Sequence, residues 1–338
     1  MKILYHIKQP RGMGAHRFIY DGYKNAWQDL GHEFLPLTDK DNLKQKLIGT
    51  KPDLFFASLD YLHFPQDIKT IKKARSLGIK VFMGVGHLFD RDPNILKIMQ
   101  DPEFADLYYG EKEPECMAHF KKLIGKDYHT IAHAADKLHH FPVAPSKKYA
   151  YDIAFLGAKL PMKKWFFDEI LIPLTKKYKV GIFGPYWTIK DNFLRAIQAG
   201  TRKIKLARTS DFINKLRITL PIEDESLLYS SAKISLNFHE RESDGSQPNY
   251  ILNQRTFKIP ACGGFEICDD VPALRKYFKE DEMVIAKLSA KEWFEKIDYY
   301  LTHDKEREKI KKAGTKRALK DHTYHNRVEQ IIKMYKTI

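Results

Sequence analysis

Cysteine is scarce in this chain, and its placement excludes two common ways of stabilising a fold. The three cysteines, Cys116, Cys262 and Cys268, form an odd and unclustered set. They match neither a disulfide framework nor the spacing of metal ligands. We therefore expect all three to be reduced and structural.

Long hydrophobic runs are also missing from the sequence. No apolar stretch approaches the length that spans a bilayer, and the apolar start at residues 2–7 is not followed by the longer run of a signal peptide. We interpret this start as a β-strand and expect a cytoplasmic protein without a transmembrane segment. The 338 residues are enough for two domains, each with its own core.

Acidic residues are too few to balance the basic ones. The chain has 58 Lys and Arg against 43 Asp and Glu, a formal net charge of +15. Such a surplus indicates an anionic partner, which could be a nucleotide, an acidic membrane surface, an anionic glycan or a nucleic acid. Charge alone does not choose among them.

Apolar segments of strand length alternate with helical segments throughout the first part of the chain. This alternation predicts right-handed crossovers and a parallel sheet that helices cover on both faces, a Rossmann-like α/β domain over residues 1–135. Residues 136–149 contain two prolines and no apolar period, so we expect an interdomain linker.

The same alternation resumes after the linker and predicts a second Rossmann-like domain at 150–318. Strands are expected at 151–157, 179–183 and 218–221, whereas residues 191–210 fit no template and are interpreted as an insertion over the site. The final segment, 319–338, is expected to be a helix.

Ligands of such sheets bind at the carboxyl ends of the strands, so the reactive side chains there are candidates for catalysis. Three such side chains are His16, Asp60 and His87. His87 is the preferred general base, because a free imidazole titrates near neutral pH, and Asp60 and Asp90 are its rivals. An ordinary loop histidine remains an equal alternative for His87.

A glycine-containing loop follows the first strand. Gly12 and Gly14 let the backbone approach a ligand, and Arg11 stands beside them. The loop lacks the third glycine of a dinucleotide fingerprint, which argues against a nicotinamide site. We expect this loop to contact a ligand of the protein.

The stretch 249–269 indicates a short helix followed by a strand. The helix start would hold Asn249, Asn253 and Arg255, and Gly263–Gly264 would mark its end. A helix N-terminus binds anions, and Arg255 beside Asn253 and Thr256 adds a fork that can hold a diphosphate. The alternative is an ordinary amphipathic helix with a solvated arginine.

Three segments of the second half resemble a known family. They are 253–265 (NQRTFKIPACGGF), 269–274 (DDVPAL) and 322–327 (HTYHNR), and they are similar to the CgeB-like, spore-maturation type glycosyltransferases. The resemblance implies a GT-B fold, in which two Rossmann-like domains face a cleft and the last helix crosses back to the N-terminal domain.

The resemblance also implies a reaction. A nucleotide-diphosphate sugar, with UDP, GDP or dTDP as the nucleotide, would donate its sugar to an acceptor hydroxyl without an essential metal. The N-terminal domain would bind the acceptor, and the loop with Arg11, Gly12 and Gly14 would contact the sugar or the acceptor. An anionic acceptor, whether a glycan, a lipid-linked acceptor at the membrane surface or DNA, would suit the net charge.

The C-terminal domain would then hold the donor. Lys159 follows the strand-end glycine Gly157, which suits a phosphate, whereas Lys163 is expected on the surface of the next helix. The expected diphosphate and sugar ligands are Arg255, Asn253, Thr256, Lys159, Gly157, Asn249, His239 and Lys258. The base would lie against Leu220, Pro221, Ile222 and Gly184.

The sequence departs from the family pattern at two positions. Lys258 stands where the family has glutamate, which is the second of two glutamate positions in many retaining GT-B enzymes, and Tyr250 stands at the first. Lys258 could instead contact a phosphate. Two other functions stay open: a glycosyltransferase for a polyanionic acceptor such as modified DNA or an acidic glycan, and a non-catalytic nucleotide-sugar binding module. His322 and His325 are expected to be structural, because no acidic cluster accompanies them.

Overall fold

A computed structural model describes residues 1–6, 15–38, 40–59, 62, 66–86, 89–241 and 251–338. The chain forms two compact units, one made of Met1–Leu138 with Thr323–Ile338 and the other of His139–His322. We call them the first unit and the second unit. In the described part of the chain, no helix is both long and apolar enough to cross a membrane.

Strands and helices alternate along both units. The strands are β1 Lys2–His6, β2 Glu33–Leu37, β3 Leu54–Ser58, β4 Lys80–Gly84, β5 Leu107–Gly110, β6 Tyr128–Thr130, β7 Ile153–Leu156, β8 Val180–Phe183, β9 Ile234–Asn237, β10 Glu266–Asp269 and β11 Val284–Ala286. The helices are α1 Ala15–Asp29, α2 Leu43–Thr50, α3 Gln66–Ser76, α4 Pro93–Gln100, α5 Phe120–Ile124, α6 Lys164–Phe166, α7 Ile172–Leu174, α8 Ile189–Lys203, α9 Ala207–Leu216, α10 Glu225–Ser231, α11 Arg255–Ala261, α12 Leu274–Tyr277, α13 Ala290–Thr302, α14 Asp304–Asp321 and α15 Tyr324–Lys336.

The first unit is built on a parallel sheet with the strand order β2-β1-β3-β4-β5-β6. Its central strands read as unbroken apolar runs because both faces are buried; in β3, the residues from Leu54 to Ala57 are all buried. The last helix, α15, packs on α1, where the rings of Tyr23 and Tyr324 lie 4.8 Å apart. A Cβ on Gly22 would lie 2.1 Å from the Tyr324 ring, so glycine permits this approach.

The second unit holds a parallel sheet with the order β11-β10-β9-β7-β8. Its core is largely aromatic: the rings of Phe166 and Phe238 stack at 4.7 Å, and Trp293 meets Phe166 edge-on at 5.3 Å. These rings pack on one face of the sheet and fix β7 and β9 beside each other. The carboxyl ends of both strands therefore meet at one edge.

Three expectations about the second unit are corrected. Residues 218–221 form no strand but an irregular connection, because Ile218 is exposed instead of filling the sheet core. Residues 191–203 lie in α8 and residues 207–210 in α9, with a connection of three residues between them. Helix α11 starts only at Arg255, where the side chain of Asn253 accepts a bond of 3.0 Å from the Arg255 backbone N–H and turns the chain into the helix.

Candidate functional site

Arg255, the first residue of α11, ties two strand ends together. Its side chain is only 9% exposed, and its Nη1 donates to the Leu156 carbonyl at the end of β7 at 2.7 Å. Its Nε donates to Asn237 Oδ1 at 3.0 Å and its Nη2 to the Phe238 carbonyl at 3.2 Å, both at the end of β9. These bonds use three of the five guanidinium N–H groups and fix a cation at the sheet edge.

Two glycines make room at this edge. A Cβ on Gly157 would lie 2.2 Å from Arg255 Nη1, and a Cβ on Gly184 would lie 2.4 Å from the Gly157 carbonyl oxygen. Gly184 also has φ of +121°, which an L side chain rarely adopts. Trp187 closes the loop by donating from its indole to the Gly157 carbonyl at 2.7 Å. The loops after β7 and β8 are thus in close contact.

Lys163 lies near Arg255 in the interior, whereas the sequence analysis expected it on the surface of a helix. It is 4% exposed, not on a helix surface, and burial lowers its pKa to about 7, with the positive charge of Arg255 adding to the effect. The carboxylate of Glu240 lies 3.8 Å from its Nζ. Two buried cations near each other repel, and an anion bound beside them would relieve that repulsion.

Lys159 differs from Lys163 in being exposed. Its backbone N–H donates to the Pro185 carbonyl at 3.0 Å, and its ammonium lies 5.5 Å from the centre of the Trp187 ring. The side chain therefore leans toward the loop that follows β8. Because the Lys159 side chain is already exposed, it can contact a ligand without first moving out of the core.

Asn253 and Thr256 belong to a buried polar network around Asn237. Asn253 donates to Asn237 Oδ1 at 2.9 Å, while the Asn237 amide donates to Thr256 Oγ1 at 3.2 Å and to Glu266 Oε1 at 2.8 Å. Burial raises the pKa of Glu266 to about 8, against the opposing hydrogen bond from Asn237. The network orients the same side chain that receives the Arg255 Nε bond.

His239 is sealed within the protein. Its backbone N–H and its Nδ1 both lie 2.8 Å from Asp269 Oδ1, and its Nε2 lies 3.1 Å from Thr256 Oγ1. Burial alone would raise the pKa of Asp269, but the charge and hydrogen bonds of His239 outweigh it and lower that pKa. Both ring nitrogens thus have protein partners, which leaves neither in place for a sugar hydroxyl.

Lys258 takes part in a buried ion pair. It contacts the carboxylate of Glu225 on α10, and both side chains are buried. A glutamate on α10 thus faces the lysine of α11. The ion pair neutralises Lys258, which weakens the expectation of a direct phosphate contact.

Leu220, Pro221 and Ile222 connect α9 to α10. Leu220 is buried, and the hydroxyl of the preceding Thr219 accepts a bond of 2.6 Å from the Gly184 backbone N–H. The two segments expected to hold a nucleotide base are therefore joined by a hydrogen bond.

Several sequence candidates lie outside the described residues. They are Arg11, Gly12, Gly14, Asp60, His87 and Asn249, together with the side chain of His16. Within the described ranges, His239, Cys268 and Asp269 have ligand atoms within 4.8 Å of one another. Burial and the nearby carboxylates of Glu266 and Asp269 raise the pKa of Cys268, which disfavours the thiolate that binds a metal.

The second unit thus presents a cationic strand edge, formed by the carboxyl ends of parallel strands and closed by glycine loops. In an α/β protein, such an edge suits an anionic ligand. A family model described as "Glycosyl transferase-like" matches residues 163–333, half of the chain, and the chain belongs to that family. The expectation of a glycosyltransferase is confirmed.

Solved structures show the same fold over the whole chain. An α-glucosyltransferase in complex with UDP and a 13-mer DNA containing an HMU base is 12% identical, with a TM-score of 0.64 and 99% of each chain covered. Anabaena HepE in complex with UDP-glucose is 10% identical, with a TM-score of 0.63 and both chains fully covered. Sucrose-phosphate synthase from Thermosynechococcus elongatus is 13% identical at a TM-score of 0.62, with 99% of this chain and 98% of that chain covered.

These likenesses confirm the expected GT-B fold, with one parallel sheet in each unit. None of the curated proteins matches the sequence. The narrower CgeB-like assignment rests on the sequence segments alone.

Proposed function

We propose that this glycosyltransferase takes a UDP-sugar and holds its diphosphate with Arg255, Lys163 and Lys159. The observation that carries the proposal is the pair of buried cations at the carboxyl ends of β7 and β9. A lysine whose pKa burial lowers to about 7 is held at a cost, and a bound diphosphate would offset that cost. The UDP and UDP-glucose complexes of proteins with this fold support the choice of nucleotide.

The cations would also act in the chemical step. The bond between the sugar C1 and the diphosphate oxygen breaks, a bond from the acceptor oxygen to C1 forms, and the acceptor proton passes to a general base. Negative charge then develops on the leaving diphosphate, where Arg255 and Lys163 are already in place to stabilise it. No metal is required by this scheme.

The remaining donor contacts follow from the same edge. Asn253, Thr256 and Gly157 lie next to Arg255 and help to orient it, and a phosphate contact is assigned to Asn249 from the sequence alone. The uracil would lie against the connection Leu220–Ile222 and Gly184, where backbone groups can bind its polar edge. Glu225, paired with Lys258, is the nearest buried carboxylate to that connection along the chain.

The acceptor side is proposed from the sequence. We assign the general base to His87, with Asp60 and His16 as alternatives, and the acceptor contacts to the loop with Arg11, Gly12 and Gly14. The first unit would be the acceptor domain, and the protein would be cytoplasmic. We keep the CgeB-like subtype as the proposed branch of the family, because the segments that resemble it surround Arg255.

Thermal-shift and calorimetric titrations with UDP, GDP and dTDP test the donor site, since a ligand that binds the folded state stabilises it. Lys163→Met should weaken UDP binding by about tenfold or more, the size of one charge-assisted contact. Lys164→Met is the matched control, because the Lys164 side chain is next in the chain to Lys163 but is exposed and pairs with Asp168. Equal affinities of the two variants, or no response to any nucleotide, would reject the proposal.

A DNA acceptor is the second candidate, favoured by the net charge of +15 and by the DNA complex of the α-glucosyltransferase. If the acceptor is DNA, duplex binding should weaken steeply as salt rises, because counterions are released on binding. Binding to duplex DNA that is absent, or that does not change with salt, would remove this candidate.

A further inference from the structure

Helices α8 and α9 form a hairpin whose apolar side chains point into solvent. On α8, Ile189, Phe193 and Ile197 recur every four residues and so share one face, and the first two are 90% and 65% exposed. On α9, Phe212 is 61% exposed and Leu216 lies one turn further on. A helix of a water-soluble protein normally buries such a stripe.

The buried side of the hairpin is polar instead. Arg217 Nε donates to Asp191 Oδ1 at 2.7 Å, and Arg217 Nη1 donates to Gln198 Oε1 at 2.8 Å. Gln198 in turn donates to the Ser210 carbonyl at 3.1 Å. The seam between the helices is therefore held by an ion pair and amides, and the outer face has the composition of a core.

Basic residues flank the apolar face. Residues 189–218 contain eight Lys and Arg against two Asp, a surplus of six, and one of the two aspartates is taken up by Arg217. Lys190 and Lys203 are exposed on α8, and the helical spacing places them on either side of the stripe, whereas Arg195 lies on the far face, 4.8 Å from the centre of the Tyr186 ring. Apolar side chains flanked by cations match a surface that is apolar inside and anionic at its boundary.

We propose that the α8–α9 hairpin docks on the surface of an anionic lipid bilayer. Helices of 15 and 10 residues are too short to span the hydrocarbon layer, so they lie in the plane of the interface. The stripe from Ile189 to Ile197, with Phe212, enters the headgroup region, and the lysines and arginines contact the lipid phosphates. The polar seam holds the two helices together and stays within the protein.

The hairpin is anchored where the donor site is expected. The hairpin begins after Gly184 and ends before Thr219, and the bond of 2.6 Å between these residues closes its base. Docking would therefore hold the second unit at the membrane close to the segment expected to bind the nucleotide base. The inference rests on the hairpin alone and does not depend on the donor proposal.

Flotation of the full chain with lipid vesicles tests the inference. The protein should bind vesicles of phosphatidylcholine mixed equally with phosphatidylglycerol, and bind vesicles of phosphatidylcholine alone far more weakly. Phe193→Ser with Phe212→Ser should lower the partition coefficient by at least about tenfold, since two phenyl groups lose their burial. Lys190→Glu with Lys203→Glu should lower the partition coefficient by about fivefold for each lysine lost.

Matched variants distinguish the hairpin from general surface effects. Leu77→Ser with Leu288→Ser removes two exposed leucines elsewhere, and Lys312→Glu with Lys316→Glu removes two exposed charges of α14. Both should bind vesicles like the wild type. UDP affinity should stay unchanged in the Phe193 and Phe212 variant, whose melting temperature also shows that it is folded.

Three outcomes would overturn the proposal. The first is that the wild type floats with vesicles of neither composition. The second is that the Phe193 and Phe212 variant binds vesicles as well as the leucine control does. The third is that vesicles are not bound and analytical ultracentrifugation shows a dimer that Phe193→Ser dissociates, which would make the face a self-interface. Vesicle binding lost only in the hairpin variants would establish it.

Discussion

Replacing Lys163 by Met should change how UDP binding depends on pH. Because burial lowers the pKa of this lysine to about 7, only about one tenth of the free protein carries the charge at about pH 8. A bound diphosphate favours the charged form and restores its proton. The wild type should therefore take up about 0.9 proton on binding UDP at this pH, and the variant should take up none from this site.

The affinity should follow the same protonation. Above a pKa of about 7, each pH unit costs about 1.4 kcal/mol to recharge the lysine, so UDP affinity should fall about tenfold per unit. Stability of the free protein should move the other way. The unfolded lysine, with its ordinary pKa near 10.5, binds the proton that the folded one has lost, so this group adds stability as pH rises from about 7 to about 10.5.

Isothermal titration in two buffers of different ionisation heat measures the proton uptake. The terminal phosphate of UDP is already ionised at about pH 8, so it adds little to the count. Glu266 has a pKa raised to about 8 by burial, and Glu266→Gln therefore separates its own contribution. Wild-type uptake that is absent, or that persists unchanged in Lys163→Met, would refute the reasoning, and Lys164→Met should behave as wild type.

Three further variants test the packing of the site. Gly157→Ala should lower both the melting temperature and UDP affinity, because its Cβ collides with the guanidinium of Arg255 and breaks a charged hydrogen bond of about 1.5–3 kcal/mol. Glu266 has a folded pKa of about 8 against 4.5 unfolded, so stability should fall by up to about 5 kcal/mol as pH rises between these values, and Glu266→Gln should remove the decline in urea titrations. Glu225→Gln should destabilise by about 3 kcal/mol, because it leaves Lys258 as a buried charge without its carboxylate.

Two of these variants have a counterpart. Gly200→Ala is the control for Gly157, since nothing lies within 4 Å of the added Cβ. Exchanging the charges, Glu225→Lys with Lys258→Glu, should recover part of the lost stability. Wild-type UDP affinity in Gly157→Ala would contradict the role of the Arg255 bond at this edge. A wild-type stability in urea that does not change with pH would contradict the raised pKa of Glu266. Wild-type stability of Glu225→Gln would contradict the buried ion pair with Lys258.

The strands were predictable because parallel strands covered on both faces read as unbroken apolar runs. The run at β3 and the alternation after residue 150 carry this signal directly. The end of α11 was also predictable, since Gly263 adopts φ of +69° just past the helix and glycine is the residue that tolerates it. Arg255 was predicted from Asn253 and Thr256, which stand beside it in the chain, so the prediction needed no long-range contact.

The remaining features depend on partners far away in the sequence. Lys163 looks like a surface lysine in its own segment, and only the packing of the second unit buries it beside Arg255 and Glu240. Lys258 meets Glu225 across 33 positions of the chain, so no helical spacing announces the pair. The α8–α9 hairpin has ordinary amphipathic periodicity, but its sequence does not say which face turns inward.

The burial of two cysteines makes the molecule convenient to label. Burial raises the pKa of Cys262 to about 12 and raises the pKa of Cys268 well above its ordinary value, so neither supplies the thiolate that reacts with maleimides. Cys116, in the first unit, is half-buried. A fluorophore should therefore attach to Cys116 alone in the native protein, and Leu288→Cys at an exposed position would provide a second label without removing any natural cysteine.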